Sequence, residues 1–141
     1  MILASQLDTL LASGLVQLAA AQPELEYLFR HALIQDAAYG SLVKADRKQL
    51  HRAVGDALEA LYTDQAASRE LAPLLAQHYY LAGEDERALR YFTLAADAAA
   101  RVYANPEAAL HYSRALEIAL RVSRANPRGE AEQSASPGQI K

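Results

Sequence analysis

The sequence predicts a mainly α-helical chain with one β-hairpin. Alanine and leucine are frequent while only 7 % of the residues are aromatic, a composition that favours helices over sheets. Apolar residues recur at three- and four-residue spacing along most of residues 1–123, as they do on one face of a helix. The only β signal is a pair of short apolar runs, LVQLAAA and LEYLF, on either side of the proline-containing turn AQPE.

The first 43 residues follow the order helix, hairpin, helix. Leucines at helical spacing precede Gly14, which is expected to end the first helix as a C-terminal cap. After the hairpin, helical spacing resumes at His31 and continues to Leu42. This order is that of the second half of a winged-helix unit, so residues 1–43 are predicted to be a partial winged helix.

Residues 44–68 are predicted to form an amphipathic linker helix. Its apolar stripe consists of Leu50, Val54, Ala57, Leu58 and Leu61. Its opposite side carries Arg47, Lys48, Arg52, Asp56 and Glu59. We expect the apolar stripe to face the core and the charged side to face solvent.

Residues 69–123 are predicted to form an antiparallel helical array of the tetratricopeptide type. A helix starts near Glu70, because Pro73 suits only a first turn, and Gly83 ends it. Two sets share the spacing of small residue, aromatic residue, small residue: Ala88, Phe92, Ala95 and Ala108, Tyr112, Ala115. Small residues let antiparallel helices approach closely. An ordinary alanine-rich bundle has the same alternation and remains an alternative. Residues 124–141 contain one large aliphatic residue, Ile140, and are predicted to be disordered.

Composition and motifs exclude several classes of function. The chain has no cysteine, and its formal net charge of -3 does not favour a nucleic-acid binder. Residues 1–29 contain no Lys or Arg, so the winged helix is expected to pack against protein rather than read DNA. The four histidines lack ligand spacing, so no metal site is predicted. There is no GxxxxGK[ST] loop and no nucleophile elbow, so we expect no enzyme activity and no cofactor in this chain. No apolar run is long enough to span a bilayer and no signal peptide is visible, which predicts a cytoplasmic protein.

Arg30 and His31 stand where the hairpin gives way to a helix. Free N–H groups and a positive dipole end favour an anion at a helix N-terminus, and guanidinium and imidazole groups add donors suited to phosphate. The alternative is that His31 caps the helix and Arg30 is a surface charge.

Two further sets are candidates for an interaction surface. The basic stretch KADRKQLHR is either a solvated helix face or a docking patch for the phosphates or acids of a partner. Its cations are Lys44, Arg47, Lys48 and Arg52. The aromatic set is Tyr79, Tyr80, Tyr91 and Phe92. Some of these must be core residues, and any tyrosine left exposed is expected to mark the binding face of the array.

The stretch FRHALIQDAAYGSL, followed by LHR and then HYYLAG, resembles the C-terminal region of bacterial STAND-type signal-transduction ATPases. The resemblance covers residues 3 to about 122. These proteins are often fused to adenylate or guanylate cyclase domains or to transcription-factor domains. The resemblance implies that ATP or ADP is bound by a domain missing here, and that the winged helix closes over that domain. His31, with Arg30 beside it, then contacts the β-phosphate of ADP; the related motif usually has Asp where this chain has Ala32.

The sequence therefore predicts a non-catalytic regulatory fragment whose partner is protein, either its own ATPase domain or another chain, with neither DNA nor membrane as a partner. One alternative is a stand-alone helical ligand-binding or small enzymatic domain. A winged-helix DNA-binding regulator is another. A deep polar pocket with converging titratable groups is expected for the small enzyme, and a shallow groove lined with tyrosine and alanine for the regulatory fragment.

Overall fold

The computed structural model describes residues 2–21, 26–62 and 65–125. The predicted fold class, mainly α with one β-hairpin followed by a helical array, is confirmed. The elements are α1 (Ile2–Ala12), β1 (Val16–Ala20), β2 (Glu26–Phe29), α2 (Ala32–Ser41), α3 (Lys44–Leu61), α4 (Gln65–Ala82), α5 (Asp85–Arg101) and α6 (Asn105–Ala125).

The chain divides into two compact units, residues 1–46 and residues 47–141. The finer division predicted at residues 43, 68 and 123 stays a prediction. The tail predicted to be disordered falls almost wholly on 126–141, which lie outside the described residues. We describe the two units separately.

In the first unit, α1 leads into the antiparallel hairpin and α2 follows it. Gly14 has a φ of +71°, which glycine adopts without steric cost, so the expected C-terminal cap of α1 is confirmed. The strands pair from Val16 opposite Phe29 to Ala20 opposite Glu26, with an irregularity between Leu18 and Ala20. The two apolar runs thus form the predicted strands.

The first unit has very little core. Among residues 3–21 and 26–46, Val16 is the one large apolar side chain that is buried. None of the residues of α2 is buried. Eight large apolar side chains are exposed: Leu3, Leu10, Leu18, Leu28, Phe29, Leu33, Tyr39 and Val43. Such an apolar surface is typical of a region that another polypeptide covers.

The orientation predicted for α3 is wrong for most of its apolar stripe, of which Leu58 packs against the core of the second unit. Leu50, Val54 and Leu61 are 52, 42 and 75 % exposed, while Gly55, from the polar side of the helix, is buried. The side chains of Asp56 and Glu59 contact residues of α4 and α5 instead of facing only solvent. The charged side of α3 therefore faces the helical array, and most of the apolar stripe faces away from it.

The predicted start of the next helix is also wrong, because α4 begins at Gln65 and holds Pro73 in its interior. Proline removes one helical hydrogen bond and costs about 3 kcal/mol inside a helix. Burial of Leu75 and Tyr79 on the same helix offsets this cost, since burying a large apolar side chain contributes roughly 1.5–3 kcal/mol. Gly83, with a φ of +81°, ends α4 as predicted.

The core of the second unit lies between α4, α5 and α6. Its buried members are Ala72, Leu75, Ala76, Tyr79, Ala88, Tyr91, Phe92, Ala95, Ala115 and Ile118. Alanine supplies half of this set, which allows the helices to approach closely. An exposed ion pair also connects two of these helices, because Arg121 of α6 donates from Nε to Oδ2 of Asp85 of α5 at 2.9 Å.

The alanines singled out by the repeat pattern are buried. Ala95 is 3 % and Ala108 is 6 % exposed. Replacing either by leucine is expected to lower the free energy of unfolding by roughly 1–3 kcal/mol through overpacking. Urea unfolding followed by circular dichroism at 222 nm measures this. Ala109→Leu, on the exposed side of α6, is the matched control. An unchanged unfolding midpoint for both buried substitutions would contradict close packing at these positions.

Candidate functional site

The proposed phosphate-sensing residues lie at the start of α2. His31 is the N-cap residue, with an extended backbone (φ -133°, ψ 130°), and its carbonyl accepts hydrogen bonds from the N–H groups of Ile34 and Gln35. The imidazole makes no capping hydrogen bond, and the side chains of both Arg30 and His31 are exposed. The imidazole therefore does not cap the helix, and the alternative in which His31 is a capping side chain is wrong.

Two tyrosines of the predicted interaction surface are instead core residues. Tyr79 of α4 is 0 % and Tyr91 of α5 is 1 % exposed, so neither can contact a partner, and the prediction is wrong for both. Their rings stack with centroids 5.8 Å apart and planes 15° apart. Tyr80, which is partly buried, is the member of the predicted set that retains accessible surface.

Glu59 of α3 accepts a hydrogen bond from each of the buried tyrosines. The Tyr79 hydroxyl donates to Oε2 at 2.7 Å, and the Tyr91 hydroxyl donates to Oε1 at 2.5 Å. A buried tyrosine needs a partner for its hydroxyl, and a single carboxylate serves both rings here. This contact joins α3 to α4 and α5 through polar rather than apolar side chains.

Two arginines of α5 complete this cluster. The Arg87 guanidinium lies 4.9 Å from the centroid of the Tyr79 ring and donates to Oδ1 of Asp56. The Arg90 guanidinium lies 4.8 Å from the centroid of the Tyr91 ring, and its Nη2 is 3.5 Å from Oε1 of Glu59. Each tyrosine thus has a carboxylate at its hydroxyl and a cation over its ring. We call Asp56, Glu59, Tyr79, Arg87, Tyr91 and Arg90 the tyrosine clamp.

The contacts of the clamp shift the pKa values of its members. Hydrogen bonds from Tyr91 and Tyr79 lower the pKa of Glu59. The hydrogen bond from Arg87 lowers the pKa of Asp56. Burial, together with the bond to Glu59, raises the pKa of Tyr91 to about 12 and also raises that of Tyr79. Both carboxylates are charged and both phenols are neutral at pH 7, so the carboxylates accept and the phenols donate the hydrogen bonds of the clamp.

A pair of histidines forms a second polar contact between α3 and α4. Nδ1 of His51 lies 3.0 Å from Nδ1 of His78, so one ring donates and the other accepts. Burial lowers the pKa of both imidazoles, and the neighbouring His51 lowers that of His78 further. Double protonation would place two donors against each other and break the contact.

The predicted basic patch is divided between structural and exposed positions. Arg52 forms an ion pair with Glu84, with Nη1 3.1 Å from Oε1, and the Lys48 ammonium lies close to Gly83 at the end of α4. Arg47 is partly buried. Lys44, in the first unit, is exposed. The pairing of Arg52 gives it a structural role, so the stretch is not simply a set of cations presented to a partner.

An open groove of about 450 Å³ lies between α4, α5 and α6. Its lining is mostly apolar: Pro73, Ala95, Ala98, Ala99, Val102 and Ala104. Arg69, Glu70, Glu107 and His111 supply its polar groups. The groove contains alanine, as expected for an interaction surface, but no tyrosine.

The part of the chain that the structure describes contains neither a metal-binding group of three or more ligands nor a membrane-spanning helix. No group of three potential ligands there is arranged to hold a metal ion. Within the same ranges, no helix is long and apolar enough to cross a bilayer.

No protein-family model, curated protein or solved structure matches this chain.

Sequence reasoning identified Tyr79 and Tyr91 but missed the partners that hold them. The amphipathic pattern of α3 predicts a solvated face for Asp56 and Glu59, and no sequence pattern points to Arg87 or Arg90. One signal was available: Gly55 lies on the polar side of the helix beside these carboxylates. A glycine inside a helix indicates a close approach by another group, which here is the Tyr79 ring, 3.0 Å from a Cβ built on Gly55.

Proposed function

We propose that this chain is a non-catalytic regulatory region that binds another protein, and that its partner is the nucleotide-binding domain of a signal-transduction ATPase. The observation that carries the protein-binding part is the apolar surface of the first unit, where Val16 alone among the described large apolar side chains is buried. Apolar surface of this extent on a small unit marks an interaction site.

The ATPase part of the proposal rests on the resemblance of residues 3 to about 122, most specific at residues 29–42, and on the environment of His31. A helix N-terminus with an exposed imidazole and an exposed guanidinium offers hydrogen-bond donors and positive potential to a diphosphate. ADP, held by the nucleotide-binding domain, would keep this unit docked, and its loss or exchange would release the unit for signalling.

The alternatives receive less support. For a small enzyme or ligand-binding domain, a polar pocket with titratable groups of matched pKa is expected, but the groove between α4, α5 and α6 has a mostly apolar lining. The clamp carboxylates already accept hydrogen bonds, Glu59 from Tyr79 and Tyr91 and Asp56 from Arg87. For a DNA-binding regulator, residues 1–29 lack the Lys and Arg side chains that contact phosphates.

His31→Ala tests the proposal in two proteins. In a longer chain that includes the nucleotide-binding domain, the substitution is expected to raise the dissociation constant for ADP about ten- to a hundred-fold, because one charge-assisted hydrogen bond is lost. In the present chain it is expected to leave the thermal unfolding midpoint unchanged, since the imidazole is exposed and caps nothing. Isothermal titration calorimetry and a thermal melt measure the two effects.

Asp36→Ala is the matched control, because Asp36 is exposed on the same helix but lies away from its N-terminus. It should change neither quantity. An unchanged ADP affinity for His31→Ala would remove His31 from the proposal, and a collapsed fold would make it a structural residue. The absence of a phosphate-binding loop from the reading frame that encodes this chain would contradict the ATPase assignment as a whole.

A further inference from the structure

The two histidines that join α3 to α4 bring two nitrogen donors next to each other. Nδ1 of His51 lies 3.0 Å from Nδ1 of His78, and the ring centroids are 5.2 Å apart with the ring planes tilted by 48°. The two residues are 27 positions apart in the chain, so no ligand spacing between them is visible in the sequence. The packing of α3 on α4 therefore creates a pair of donors that sequence patterns treat as unrelated.

The distances within this pair are close to those of two imidazoles bound to one metal ion. Zinc binds histidine nitrogen at about 2.0–2.1 Å with tetrahedral angles, so two such nitrogens lie about 3.3–3.4 Å apart and their ring centroids about 5.2 Å apart. The pair already has this centroid spacing, and its Nδ1 atoms need to separate by only about 0.3–0.4 Å. Both rings are partly buried rather than enclosed, so small rotations of the rings can open that space.

The protonation state of the pair and the charges beside it also suit a cation. Metal ions bind neutral imidazole, and burial lowers the pKa of both rings below 6.5, so both are neutral at pH 7. When a metal ion enters, the donating ring moves its proton from Nδ1 to Nε2 through solvent, and both Nδ1 lone pairs then face the ion. Arg52, the cation that follows His51 in the chain, is held by Glu84, with Nη1 3.1 Å from Oε1.

We propose that His51 and His78 bind a divalent transition-metal ion such as Zn²⁺, and that the ion joins α3 to α4. Within residues 2–21, 26–62 and 65–125, no third His, Cys, Asp or Glu completes the pair, so water molecules occupy the remaining coordination positions. With half of the four protein ligands of a structural zinc site, the dissociation constant is expected to be about 10–100 μM. The site is separate from the proposed docking of the first unit and does not depend on nucleotide.

Calorimetric titration of the whole chain, without a polyhistidine tag, with ZnCl₂ at about pH 7.5 tests the site, together with thermal unfolding followed by circular dichroism. One ion should bind per chain. About 1 mM ZnCl₂ should raise the unfolding midpoint by about 5–10 °C, because the ion binds the folded chain more tightly than the unfolded one. Mg²⁺ at the same concentration should leave the midpoint unchanged, since Mg²⁺ prefers oxygen ligands.

His51→Gln and His78→Gln are each expected to abolish the zinc-dependent shift, because glutamine keeps a polar side chain but removes the imidazole ligand. Each variant is compared with its own metal-free midpoint, so a lower stability of the variant itself does not affect the result. His111→Gln, which changes a partly buried histidine on α6, is the matched control and should keep the full shift. A shift that survives in either of the first two variants, disappears in His111→Gln or is matched by Mg²⁺ overturns the proposal. The absence of zinc binding at about 1 mM overturns it as well.

Discussion

Glu59→Ala is expected to lower the free energy of unfolding of the second unit by about 3 kcal/mol, because two hydrogen bonds to a charged acceptor are lost, each worth roughly 1.5–3 kcal/mol, and solvent reaches part of the site. Glu59 accepts a hydrogen bond from both buried tyrosine hydroxyls. Without it, water or Asp56 must serve the Tyr79 hydroxyl, and Tyr91 loses its acceptor.

Urea unfolding monitored at 222 nm gives the free energy, with Glu117→Ala as the matched control. Glu117 is exposed and pairs with Arg114 three residues earlier on the same helix, so its loss should cost no more than about 0.5 kcal/mol. Replacing Tyr79 and Tyr91 together by phenylalanine removes the hydroxyls that need an acceptor. In that background Glu59→Ala should cost much less. Equal costs in both backgrounds would show that the hydrogen bonds do not carry the effect.

The same cluster predicts a pH dependence with a defined sign. The folded pKa of Glu59 lies below its ordinary value of 4.5, owing to the hydrogen bonds from Tyr91 and Tyr79. This stabilisation is present above pH 4.5 and is lost as the pH falls through the folded pKa. The stability lost on acidification through this pH range should be smaller in the Glu59→Gln variant than in the unchanged chain. His51 and His78, whose pKa values are lowered from 6.5, produce a separate loss that begins as the pH falls below 6.5.

Patterns among residues close together in the sequence were sufficient to predict most of the helices and strands. Glycine with positive φ ends α1 and α4 where the sequence predicts, since few other residues adopt that conformation without strain. The hairpin follows from two apolar runs around a turn, and the buried alanines follow from their spacing on α5 and α6. Each of these depends on residues close together in the sequence.

The orientation of α3 did not follow from its amphipathic pattern, because it depends on distant residues. The rule that the apolar face turns inward assumes that the neighbouring helices offer an apolar surface. Here α4 and α5 offer two tyrosine hydroxyls and two arginines, and the carboxylates of α3 satisfy them. The same reasoning explains why Tyr79 and Tyr91 are not surface residues. Pro73 inside α4 is a further case in which burial of the surrounding residues outweighs a local preference.

Gly55→Val is expected to lower the free energy of unfolding of the second unit by about 3 kcal/mol, since overpacking costs roughly 1–3 kcal/mol and a displaced hydrogen bond adds about 1 kcal/mol. A Cβ at this position would lie 3.0 Å from Cε1 and 3.1 Å from Cζ of Tyr79. The ring cannot easily move, because Glu59 holds its hydroxyl, Tyr91 stacks on it and Arg87 covers it. Therefore α3 must move away instead.

A graded series of substitutions separates this contact from helix propensity. Gly55→Ala gains about 1 kcal/mol of propensity but adds the close Cβ, so its net effect should be near zero. Ala60→Val, exposed on the same helix, should cost only a few tenths of a kcal/mol. Because Gly55→Val and Glu59→Ala both release α3 from Tyr79, the double variant should cost clearly less than the sum of the two. Additive costs in urea unfolding would mean that the two residues act independently, and the tyrosine clamp would not be the element that holds α3 in place.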